Sequence, residues 1–256
     1  MKLYLFFFSL TALGLATSAQ KEMKLNDSLK ASSESFPVKM RGGSMLKYDF
    51  GAYKTIKAKP GLEKSTTRSK LFSAMEETES KQKASIVMSG NGNDTVITNI
   101  SINVKSKEVR EHVISISKGR VAWEREEDPS TVQQNRNLVA VITTNKDTMT
   151  WNLIYIAQLN TQGSLPSNTS CVLTDGNKTI EIRNVTVWDN GKSPTLYSTI
   201  GFEFYSDGIA IAAVQNPADT FQKKFVWLQK DLDEKMKLIL AGAFSALLSF
   251  TAQMPS

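Results

Sequence analysis

From Ala84 onward the chain is a succession of short runs with apolar residues at every second position, cut by turn-forming residues and without a helical period between them. Val96, Thr98, Ile100, Ile102 and Val104 share one face of a predicted strand while Asn99, Ser101 and Asn103 share the other, because successive strand side chains point to opposite sides. The runs Val109 to Ser117, Leu138 to Thr144 and Met149 to Ala157 behave in the same way. Asn145-Lys146-Asp147 predicts a hairpin between the last two. Asp175-Gly176-Asn177 and Ser206-Asp207-Gly208 predict two more, since Asp-Gly readily supplies the positive φ of a tight turn. Phe225 to Leu228 adds a further strand. Strands at this spacing with no helices interleaved predict a mainly β fold, an antiparallel sandwich or barrel-like domain, and argue against a parallel α/β sheet.

The period changes near the end. Asp231 is placed to cap a helix, with Glu234 positioned to complete a capping box, and the helix is expected over 232–250. Its first turns are charged, and Leu238 to Leu248 is apolar nearly all round. A bilayer span needs about 20 apolar residues, so this stretch is too short to cross one. The expectation is a helix packed on the sheet or plugging one end of it. A partner-binding helix and a membrane-surface helix are the alternatives, the second weakened by the lack of a broad polar face.

At the other end, Met1-Lys2 precedes an apolar run from Leu3 to Leu15, then small residues to Ala19 and polar Gln20-Lys21-Glu22. This is the three-part pattern of a secretory signal over 1–19. No transmembrane span is expected once it is removed, and the chain is expected to be periplasmic or secreted. The segment 20–45 is polar and poor in apolar residues and reads as a lead-in or linker, so that one β-rich domain is expected over 46–256, beginning near Leu46. The charged stretch from Pro60 to Lys83 is expected to be irregular.

The formal charge is +6, and the Lys and Arg residues are scattered along the sequence rather than gathered in one stripe. No nucleic-acid partner follows from that balance, although attraction to anionic lipid or polysaccharide is compatible with it. The single Cys171 excludes an intramolecular disulfide and reads as a buried small hydrophobe. Asn-x-Ser/Thr triplets begin at Asn26, Asn93, Asn99, Asn168, Asn177 and Asn184, as an Asn-, Ser- and Thr-rich surface produces by chance.

Few constellations carry chemistry. His112 is the only histidine, which excludes a zinc site built on several of them, and no Cys pair replaces it. His112 could serve a distant Ser and Asp, but it shares a predicted strand face with Ile114 and Ile116, where a structural histidine is expected. Paired carboxylates need no histidine. Glu124, Glu126, Glu127 and Asp128 beside Pro129 read as a solvated loop. Glu203 stands out within an apolar run, its face shared with Gly201 and Tyr205 while Phe202 and Phe204 point the other way. On an interior face it would require a partner such as an arginine; on an exterior face it would be an ordinary exposed carboxylate. Asn91-Gly92-Asn93-Asp94 lacks the acidic spacing of a calcium loop and reads as a turn. Trp123, Trp151, Trp188 and Trp227 sit in strand-like runs and read as core.

Tyr48 to Thr55, Gly201-Phe202-Glu203-Phe204, Ile211-Ala212-Ala213-Val214, Val226-Trp227-Leu228 and the Leu/Ala-rich helix resemble a group of uncharacterised exported proteins of Bacteroidota. The resemblance spans about half the chain and implies a β-rich body ending in a helix, with no activity attached. The functional expectation is a non-enzymatic envelope or secreted β protein that binds an envelope protein or a small apolar or glycan ligand, with no cofactor, metal or catalytic set. A carboxylate-based hydrolase and a purely structural envelope module are the alternatives, and Glu203 and His112 are the candidates for a polar site.

Overall fold

The computed structural model describes residues 21–42, 46–69, 75–109, 112–117, 120–125, 130–160, 168–193, 199–217 and 222–252. The leader expected over 1–19 lies outside them. Helix α1 (Asp27–Ser32) leads into β1 (Ser33–Pro37) and β2 (Lys39–Met40). Strands β3 (Tyr48–Phe50), β4 (Tyr53–Pro60) and β5 (Lys64–Ser69) follow, then the long β6 (Met75–Ser89) and β7 (Thr95–Val109). A separate hairpin, β8 (His112–Ser117) and β9 (Arg120–Arg125), precedes β10 (Ser130–Thr144) and β11 (Asp147–Asn160). The rest is β12 (Asn168–Thr174), β13 (Thr179–Val185), β14 (Gly201–Ser206), β15 (Ile209–Gln215), β16 (Phe225–Gln229) and helix α2 (Glu234–Ala252).

The main sheet has the order β1-β16-β15-β14-β13-β12-β11-β10-β7-β6-β4-β3-β2, with β5 on β6, and all its pairings are antiparallel. It is a nearly closed, barrel-like wall. Its two ends are consecutive in the chain: Ser33–Pro37 pairs with β16, and two residues later Lys39 and Met40 pair with β3. The predicted hairpins are present. Thr144 opposes Asp147, Thr174 opposes Thr179 around Gly176 (φ +95°), and Ser206 opposes Ile209 with Asp207 and Gly208 both at positive φ.

Along the long strands, Ile86, Met88, Val96, Ile100, Ile102, Leu138, Ala140, Ile142, Leu153 and Leu173 are buried inside the wall, while Asn99 and Ser101 are exposed outside. The inside is filled by α2, which is buried on all sides over 238–250. Phe244 meets Phe50 of β3 at 6.0 Å and Phe204 of β14 at 5.2 Å, and Phe250 meets Tyr155 of β11 at 5.1 Å. Gly242 lies against β7 and β10, where an added Cβ would stand 2.8 Å from Ile142, and Thr98 donates to the Gly242 carbonyl. Burial of this kind contributes roughly 1.5–3 kcal/mol for each large apolar side chain.

Three expectations are corrected. The lead-in over 20–45 is not a tether: it supplies α1, β1 and β2, and Met23, Leu25 and Leu29 are buried. The segment 60–83 is largely strand. Strands β5 and β6 pair there over Lys64–Lys81 with both faces largely in contact with water, so no apolar alternation marks them. The cap of α2 is Asp233, not Asp231: its carboxylate accepts from Met236 N at 2.6 Å and its carbonyl from Lys237 N at 3.0 Å.

Candidate functional site

Strand alternation directs Phe202 and Phe204 into the main core and Glu203 and Tyr205 to the outer side of β14. There the segment from Lys21 to Ser32 lies across the wall. Met23, Leu25 and Leu29 pack with Trp188, Ile200, Ala213 and Trp227 in a second core outside the sheet. Met23 N donates to Gln215 Oε1 at 2.7 Å, and Gln215 Nε2 donates to the carbonyls of Lys21 and Lys223 at 3.2 and 2.8 Å.

Glu203 sits beneath this strap at 6% exposure. Its Oε1 accepts from Asn26 N at 2.6 Å and its Oε2 accepts from Tyr205 Oη at 2.7 Å. Burial, followed by the hydrogen bond and charge of Glu203, pushes the Tyr205 phenol up to about 12. Of the two faces the sequence left open, Glu203 takes the outer one, yet it is not the exposed carboxylate expected there, because the N-terminal segment covers it. The partners are an amide and a phenol rather than an arginine. Arg183, opposite Glu203 on β13, stacks 4.1 Å over the Tyr205 ring and gives its hydrogen bonds to Glu181 at 2.7 and 2.9 Å. Glu203 therefore fastens the strap, with both oxygens engaged.

His112 lies on the backbone of β8 opposite Arg125, in a different sheet from Glu203. Its side chain is outside the description. Glu124 is opposite Val113 in the same hairpin, while Glu126, Glu127 and Asp128 fall outside the described residues. Among the described residues no group of three His, Cys, Asp or Glu could hold a metal ion. Asn91 to Asp94 forms the β6–β7 turn, closed by Gly90 N on Asp94 O at 2.8 Å. Cys171 is buried, and burial pushes its thiol well above the ordinary range. Trp151, Trp188 and Trp227 are buried.

A concavity lies at the mouth of the barrel, where α2 begins. It is a cavity of about 300 Å³. Phe36, Tyr53 and Leu228 form its apolar part, and Glu34, Lys230, Glu234 and Lys237 bring charge of both signs. Asp233 starts α2 here, so Glu234 and Lys237 lie on its first turn. Asn91 Nδ2 donates to Glu234 Oε2 at 2.7 Å and Lys237 Nζ to Glu234 Oε1 at 3.1 Å. Lys237 and then Asn91 hold the Glu234 carboxyl below its usual range. Burial, then the charges of Glu234 and Asp94, push the Tyr53 phenol well up, so it stays a neutral donor. The arrangement offers an aromatic floor with fixed donors and acceptors at its rim.

The sequence did not point to this cavity. Its lining comes from β1, the β3–β4 turn, the β6–β7 turn, the end of β16 and α2, and no two of these form a motif. Comparison with protein-family models, curated proteins and solved structures finds no match to this chain.

Proposed function

We propose that this chain is an exported, non-catalytic envelope or secreted protein that binds a small polar ligand of glycan type at the mouth of its barrel. The reading is carried by the cavity of about 300 Å³ with Phe36 and Tyr53 on its floor and Glu34, Lys230, Glu234 and Lys237 around it. Ligand pockets run from about 300 to 1,000 Å³ and combine an apolar floor with a few fixed polar groups, so this one suits a ligand of one or two sugar rings. An apolar ligand inside the wall would compete with α2, which takes that space.

Native mass spectrometry of the protein purified gently from its producing cell tests the reading. Retained saccharide-sized mass, lost in Tyr53→Ala, is expected. A bare chain that also gives no saturation-transfer signal with a panel of neutral and acidic saccharides overturns it.

The same lining favours one second reading, because Glu34 and Glu234 share the cavity and a glycosidase needs two carboxylates. Glu234 is held ionised, the state of a base or nucleophile. Hydrolysis of aryl glycosides that disappears in both Glu34→Gln and Glu234→Gln would establish the hydrolase in place of the binder.

A further inference from the structure

The cations that look scattered in the sequence are gathered by the fold. In β4 to β7 the inward faces carry most of the apolar residues, and the outer face carries Lys57, Lys59, Lys64 and Lys83, all exposed. Lys57 and Lys59 oppose Val87 and Ser85, and Lys64 opposes Lys81. None of Lys57, Lys59, Lys64 or Lys83 makes an ion pair among the described residues. Glu79 is already engaged by Lys81 at 3.1 Å and Lys105 at 3.7 Å, which leaves Glu63 and Glu77 as the nearby carboxylates.

Exposed large apolar side chains stand in this basic field, Ile97 of β7 among them in the row of Lys57. Leu62 is 88% exposed and Ile56 is 60% exposed. Ile56 is put outside by the register shift between Thr55 and Lys57. Leu62 belongs to the three-residue step between β4 and β5, both of which pair with β6. That step is pinned by Gly61 N on the Lys83 carbonyl at 2.6 Å, a contact so close that a Cβ on Gly61 would stand 2.3 Å from the same oxygen. Leu62 is therefore presented from a fixed backbone, about 20 Å along the edge from Ile56 at the usual strand rise.

We propose that the β4–β5 edge docks on an anionic lipid surface, with Lys57, Lys59, Lys64 and Lys83 meeting headgroup phosphates and Leu62 and Ile56 entering the acyl boundary. Basic residues draw a protein to an anionic leaflet and exposed aliphatic residues hold it there. A soluble polyanion would use the lysines and leave Leu62 and Ile56 without a role. Among the described residues of β4 to β7 no Phe, Tyr or Trp lies on this face, since Tyr53 is buried inward and β5, β6 and β7 contain none, so these strands offer base stacking on a nucleic acid no platform. The surface is independent of the mouth cavity.

Vesicle co-sedimentation of the protein as released by its exporting cell tests the assignment. Vesicles of phosphatidylcholine alone are compared with vesicles containing phosphatidylglycerol in equal part. Binding to the anionic vesicles only, weakened by added salt, is expected. Reversing a lysine, as in Lys59→Glu or Lys83→Glu, is expected to weaken it about fivefold each. Leu62→Ser is expected to weaken binding to anionic vesicles while leaving retention on a heparin column unchanged. Equal sedimentation with both vesicle types, no sedimentation with either, or a Leu62→Ser protein that binds as the parent does overturns the assignment; retention on heparin without vesicle binding assigns the face to a soluble polyanion instead.

Discussion

The Glu203 carboxylate accepts the backbone amide of Asn26 at 2.6 Å across 177 residues of sequence. A charged acceptor in a covered site stabilises strongly, and its removal leaves the Asn26 N–H and the Tyr205 O–H without partners. Glu203→Ala is expected to cost roughly 2–4 kcal/mol in urea unfolding, with Glu203→Gln, which keeps one acceptor oxygen, costing less. Trypsin should then cut at Lys24 and Lys30 faster than in the parent. Unchanged cleavage there would show that the strap is held by its apolar contacts alone.

Gly242 sets two effects against each other. Alanine is the better helix former by about 1 kcal/mol, but its methyl would meet Ile142, Thr98 and Val96 at 2.8, 2.9 and 2.9 Å. Overpacking a dense core costs about 1–3 kcal/mol. Gly242→Ala is therefore expected to lower the melting temperature, and a rise would mean that α2 has room to shift within the wall.

The cap of α2 can be located by substitution. Asp233→Ala is expected to cost about 1 kcal/mol, whereas Asp231→Ala, at an exposed turn, should stay within about 0.5 kcal/mol of the parent. The reverse order in chemical denaturation would move the start of the helix back to the position the sequence suggested.

Asp147 carries a pH signature. Lys235 first, and then the Met149 amide at 3.2 Å, hold its carboxyl below the ordinary value. A carboxyl depressed in the folded state contributes stability that is present above its unfolded value of about 3.9 and lost as pH falls through the folded one. The stability gap between the parent and Asp147→Asn should accordingly be open at neutral pH, close under acid, and narrow with salt. A gap that persists below pH 3 in urea titrations would contradict this origin.

The barrel-like wall and its helix were legible because water selects the pattern: Ile100, Ile102, Leu138 and Ala140 must face inward, and period two follows. Where the sheet runs past its core, as at Glu76 to Lys81, backbone hydrogen bonds alone define the strand and the side chains carry no signal. The strap failed to announce itself for a different reason. Met23, Leu25 and Leu29 are too few to form a periodic pattern, yet each is buried by a surface made some 160 to 200 residues later. Glu203 was visible as an anomaly, but its partner is a backbone amide, which no side-chain pattern encodes. The mouth cavity was invisible because its walls converge only in three dimensions.

The stretch from Ser33 to Met40 finds one neighbour close by in β3 and the other, β16, at the far end of the chain. A ribosome delivers Ser33 long before it delivers Gln229, its partner. The first stave must stay open-edged until almost the whole chain exists, and contacts of such long range make for slow folding. The N-terminal strand consequently depends on residues made about 190 positions later, and losing a few residues of β16 is expected to release Ser33–Pro37 from its place in the wall.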